Sequence, residues 1–126
     1  MTMSKLQFIN DQLTILGIPY EFGEWSSKVT YPYWVGEITE EPTITEDGAE
    51  ESTMILTGFA RGKFLAMEKQ KDEIKKHFHP IYGLRSETDN GTIVVFFDGA
   101  FYVPTGEAGL KRIQVNLKIQ EWKGDL

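Results

Sequence analysis

Leu6, Ile9, Leu13 and Leu16 recur at three- and four-residue spacing behind Ser4, whose side chain suits the start of a helix, and Gly17 and Pro19 follow as stop signals. This predicts a first helix over Lys5–Leu16. The next section is rich in aromatic and β-branched residues, which favour strands, while Gly23, Pro32 and Gly36 interrupt it. Strands are expected at Tyr33–Thr39 and just before it, near Lys28–Tyr31. From Ser52 to Phe59 the chain alternates, with Thr53, Ile55 and Thr57 against Met54 and Leu56. A period of two is the mark of a half-buried strand.

Phe64, Met67, Ile74 and Phe78 then mark one face of a second helix over Lys63–Phe78, with Lys71 interrupting the stripe, Asp72 and Lys76 spaced to pair across one turn, and Pro80 ending it. Farther on, T-I-V-V-F-F and A-F-Y-V flank Asp98 and Gly99. Two apolar runs around Asp-Gly predict a hairpin turn there, since such a turn needs positive φ at both central residues. From Lys111 to Trp122, Ile113, Val115, Leu117 and Ile119 alternate with Arg112, Gln114, Asn116, Lys118 and Gln120, which predicts a long strand with one wet side. The expected fold is therefore α+β: a mostly antiparallel sheet of five to six strands with two helices packed on one face, in a single domain spanning residues 1–126.

Between the second and third predicted strands lies E-E-P-T-I-T-E-D-G-A-E-E, whose acids Glu40, Glu41, Glu46, Asp47, Glu50 and Glu51 leave almost nothing to bury. A solvated loop is expected, with docking on a basic partner as its functional reading. Its spacing does not fit the ligand positions of an EF-hand. The net charge of −6 repels a phosphate backbone, so sequence-specific nucleic-acid binding is not expected. The 126 residues include no cysteine, which excludes disulfides, thiolate zinc sites and cysteine nucleophiles. No apolar run approaches the roughly 18 residues of a membrane span, and no membrane partner is expected.

The candidate chemistry is sparse. T-G-F-A-R-G-K-F, from Thr57, invites comparison with a phosphate-binding loop, but only three residues separate Gly58 from Gly62, and Phe64 stands where a metal-binding hydroxyl is required. His77 and His79 suit the C-terminal end of the second helix better than a metal site, which would need carboxylates from elsewhere. No serine sits in a nucleophile elbow. Neither an enzymatic activity nor a cofactor is expected. The aromatic residues Trp25, Tyr31, Tyr33 and Trp34 are open to two readings, an interface or sheet packing. Arg112, Gln114, Asn116, Lys118 and Gln120 would together offer a long polar surface for a wet contact.

The order of a helix, strands carrying Y-P-Y-W-V-G-E-I-T-E-E-P, an acidic segment, E-S-T-M-I-L-T-G-F-A-R-G entering the second helix, and a closing I-Q-V-N-L-K-I-Q-E-W resembles the tail terminator, or tail completion, proteins of long-tailed bacteriophages and prophages. The resemblance runs from Lys5 to Trp122. It implies an α+β virion assembly protein with no catalytic residues, forming a ring, commonly a hexamer, that caps the tail tube and presents a surface for head or neck joining. The implied partners are further copies of itself, the tail tube protein and a head-completion or neck protein, in the virion and, during assembly, the host cytoplasm. A ring needs two unlike surfaces per subunit. The lysines Lys63, Lys69, Lys71, Lys75 and Lys76 of the second helix and the acidic segment are the expected pair. The alternatives are another neck or head-completion protein and a monomeric acidic module that binds or inhibits a basic partner.

Overall fold

The computed structural model describes residues 4–44, 48–62, 64–88 and 91–123. Ser4 caps α1 (Lys5–Ile15), its hydroxyl oxygen accepting from the Gln7 amide at 3.1 Å, and the helix buries Phe8, Ile9 and Leu13. The chain reverses at Gly17 and enters β1 (Tyr20–Phe22). It then crosses through residues 23–32 to β2 (Tyr33–Ile44), which runs antiparallel to β3 (Glu50–Arg61). The expected strand at Lys28–Tyr31 is not formed; the strand preceding β2 is β1, and it pairs with β2 in parallel. Gly23 and Pro32, which interrupt the aromatic section, bound the crossover instead of flanking a strand.

α2 (Leu65–Phe78) buries Met67, Ile74 and Phe78. It leads to β4 (Leu84–Thr88), β5 (Gly91–Val103) and β6 (Leu110–Lys123). The six strands form one sheet in the order β1-β2-β3-β6-β5-β4, antiparallel at every pairing except β1 with β2, and curled as a half-barrel.

The predicted hairpin at Asp98 and Gly99 is overturned. β5 runs straight through both residues, and three steps along it, from Phe97 to Ala100, match only two along β6, from Leu117 to Val115. This is a bulge of one extra residue, with Gly99 at φ +119. The positive φ read as a turn signal is used within one strand. The extra residue restores alternation, so Phe97 and Ala100 both lie on the side of the core.

Along β3 and β6 one side of the sheet buries Met54 and Leu56 opposite Leu117 and Val115, with Ile113 opposite Gly58. These apolar residues join the buried residues of both helices in one cluster. Two large rings enter that cluster by lying over a glycine of the next strand. A Cβ on Gly36 would meet the Tyr20 ring, and one on Gly58 would come within 2.9 Å of the Trp34 ring. Trp34 is fully buried, and its indole N–H donates to Gln70 Oε1 of α2 at 2.7 Å. Burial pushes the Tyr20 hydroxyl up to about 12. Gly58 therefore sits mid-strand beneath an indole, a position no phosphate loop could use.

Candidate functional site

The acidic segment is less of a loop than its composition implies. β2 continues through Glu40 and Glu41 to Ile44, and β3 already begins at Glu50, so the strands extend as a ribbon past the core. Glu40, Glu50 and Glu51 find cations within the chain. Lys5 of α1 lies 3.0 Å from Glu40 and 3.4 Å from Glu121, Lys123 lies 3.3 Å from Glu50, and Lys118 lies 2.9 Å from Glu51. The Lys5 ammonium beside it holds the Glu40 carboxyl below the usual carboxylate range. Acids that look unaccompanied in the sequence are thus answered by lysines distant from them along the chain. Glu46 and Asp47 lie outside the described residues.

The lysines of α2 do not share one face. At about 100° per residue, Lys71 and Lys75 flank the buried stripe while Lys69 and Lys76 project from the far side. Lys71 is half-buried between Glu68 at 3.4 Å and Asp72 at 3.3 Å, so the expected pairing of Asp72 with Lys76 is replaced by one with its neighbour in sequence. Lys75 stands 6.0 Å above the Phe97 ring. Lys75 and Lys76 border a depression of about 360 Å3 with Asp72, His79 and Pro80. Lys69, Lys75 and Lys76 are exposed. Lys63 lies outside the described residues.

β6 keeps its predicted alternation. Arg112, Gln114, Asn116, Lys118 and Gln120 share the sheet side opposite Ile113, Val115, Leu117 and Ile119. They lie along the sheet rather than standing clear of it. Gln114 Nε2 donates to Asn116 Oδ1 at 3.2 Å, and the Arg112 guanidinium donates to the Pro104 carbonyl at 3.2 Å. The register places Ile55 beside Asn116, Phe59 beside Arg112, Phe96 beside Lys118 and Phe101 beside Gln114. The surface is therefore a polar stripe bordered by apolar side chains, the mixture found in wet protein contacts.

The aromatic section packs on both sides of the sheet. Trp34 goes to the core, whereas Tyr33, one residue earlier, points to the other side of the sheet. Tyr33 stacks on Phe59 with ring centroids 5.2 Å apart and meets Trp25 at 4.8 Å and Tyr31 at 5.5 Å. Arg61 lies 5.7 Å from the Tyr31 ring and donates to Glu107 at 2.8 Å. Strand alternation alone separates Tyr33 from Trp34.

His79 ends α2, but its ring serves the turn that follows. Its Nδ1 accepts from the amides of Ile81 and Tyr82, each at 3.1 Å, and its ring stacks on Tyr82 at 4.6 Å. Ile81 and Tyr82 are thereby held 72% and 78% exposed. In the sequence the signal of this pair is two large apolar residues directly behind the helix-ending Pro80. His77 Nε2 lies 2.7 Å from Gln12 Oε1 and so ties α2 to α1, and burial pushes its imidazole below the usual histidine value.

Among the described residues no group of three or more His, Asp or Glu side chains is placed to hold a metal ion, and no helix is long and apolar enough to cross a membrane. No family model matches the chain, and no curated protein matches it by sequence.

Proposed function

We propose that this chain is a virion assembly protein, without catalytic activity, that closes into a ring on the end of a phage tail tube, ends tail polymerisation and offers a surface for head or neck joining. The observation that carries this reading is the side of the sheet turned away from the core cluster. There the polar stripe of β6 runs between Ile55 and Phe59 on one flank and Phe96 and Phe101 on the other. We further infer that both helices cover the opposite, core side. Their buried residues belong to one cluster with Met54, Leu56, Val115 and Leu117, and the His77–Gln12 contact joins them. That arrangement leaves the outer sheet side free for the tail tube protein, a neck protein or a neighbouring subunit.

A cyclic ring also needs two surfaces that differ. The exposed Lys69, Lys75 and Lys76 on α2 and the acidic end of the β2–β3 ribbon supply them. With Glu40, Glu50 and Glu51 already bridged within the chain, the attraction between subunits is modest and sensitive to salt. Electron microscopy and solution mass of the purified protein are the test. Rings at low salt that come apart in molar salt, and that a Lys69→Glu/Lys76→Glu variant with unchanged circular dichroism fails to form, are the expected result. A monomer at every salt concentration that binds one basic partner would overturn the ring in favour of an acidic binding module. A ring that binds neck proteins but no tube ends would place the chain with the head-completion proteins instead.

A further inference from the structure

The half-barrel has two edges, and they are built differently. At one edge β1 is only three residues long, which leaves little backbone free for a further strand. At the other edge β4 is five residues long, Leu84-Arg85-Ser86-Glu87-Thr88, and pairs only with β5 among the described strands. It contains no proline or glycine, and it carries no bulge in its register with β5.

The sequence of β4 is complementary to itself. If two copies of the strand are laid antiparallel about a two-fold axis at Ser86, Arg85 of each falls opposite Glu87 of the other, and Leu84 falls opposite Thr88. Arg85 and Glu87 are exposed and, paired with Val94 and Thr92 of β5, lie on the side of the sheet away from the core. Glu87 accepts from Thr92 Oγ1 at 3.0 Å, a contact that occupies one carboxylate oxygen of the two. Arg85 has no ion pair among the described residues. A one-residue slip would set Arg85 against Ser86 and lose both charge pairs, so the strand favours a single register.

We propose that β4 is a self-association edge, through which two copies of this chain join their sheets into one continuous twelve-stranded sheet by a two-fold β4–β4 contact. The contact is separate from the ring proposed above, which requires unlike surfaces, and it does not depend on that reading.

Sedimentation of the purified protein up to high micromolar concentration, with circular dichroism as the check on folding, tests it. The expected result is a two-fold association, of monomers or of rings, whose Kd rises at least about tenfold in Arg85→Glu and likewise in Glu87→Arg, because each change sets like charges opposite each other twice per contact. Arg85→Glu/Glu87→Arg, which exchanges the charges and keeps self-complementarity, restores the association to within about threefold of the original. A species whose mass is indifferent to both single reversals, ring or monomer, would overturn the β4 contact. An association weakened by the single changes but not restored by the double change would overturn the proposed register. A dimer that follows the expected pattern with no ring at any salt concentration would support β4 and remove the ring.

Discussion

Trp34 enters the core because Gly58 on the neighbouring strand leaves it the room, and Gln70 of α2 accepts from its indole N–H. The three residues come from β2, β3 and α2, so one indole joins three elements. Gly58→Ala puts a methyl group 2.9 Å from ring carbons of the fully buried Trp34, so the ring or the strand must shift. The expected loss is about 1–3 kcal/mol, the usual range for overpacking a filled core. It would be read as a lower urea midpoint at unchanged m-value. A variant as stable as the parent would mean that the indole can move.

At the scale of elements, β5 depends on a single residue. Gly99 has open space around its Cα yet stands at φ +119, so its role is backbone conformation rather than room. Gly99→Ala should therefore cost roughly 1–3 kcal/mol through strain alone. Gly99→Asn should recover little of this, because Asn is tolerated near a φ of about +57 rather than at +119. A Gly99→Ala variant as stable as the parent in chemical denaturation would argue against the conformational account.

The same bulge marks where sequence reading reaches its limit. Elements with a clean period were legible: the capped first helix, the Ser52–Phe59 alternation and the closing strand all have a buried face that writes itself into the residue types. Asp98-Gly99 misled because a turn and a bulge can both place a glycine at positive φ, here Gly99 alone, and the residues that decide between them lie on β6. β1 and β4 escaped notice because three residues are too few to show a period, and because R-S-E-T has no apolar side. The acidic segment looked like a loop because its balancing lysines, Lys5, Lys118 and Lys123, are remote along the chain. Of the candidate site, the β6 stripe could be read from its alternation, and the division of the α2 lysines between two sides was implicit in the stripe of Met67, Ile74 and Phe78, whereas the ion pairs that hold Lys71 needed the structure.

For the molecule as a whole, the two helices are tied to each other by His77 and Gln12 and to the sheet by their shared core. Burial lowers the affinity of His77 for a proton in the folded state relative to the unfolded chain. The unfolded state then binds more protons as pH falls, so the stability contributed above the ordinary histidine value of 6.5 is lost progressively below it. The folded protein should weaken as pH falls from neutral through that value, and a His77→Gln variant should show a flatter slope over the same window. Parallel slopes for the two proteins in urea unfolding would assign the acid sensitivity to another group.

The middle of the sheet is also its most distant pairing along the chain. β3 and β6 meet with Glu50 opposite Glu121 and Arg61 opposite Leu110, so the central ladder cannot close until α2, β4 and β5 have been drawn in between. Loop closure of that span must precede the reward of the central contacts, which places this fold among the slow folders of its size. The β2–β3 ribbon, local in sequence, can form first, with one edge bare until β6 arrives. During that interval β3 presents Met54, Leu56 and Ala60 to whatever strand is nearest, and a nascent chain would be more exposed to wrong pairing there than at any point once β6 is in place.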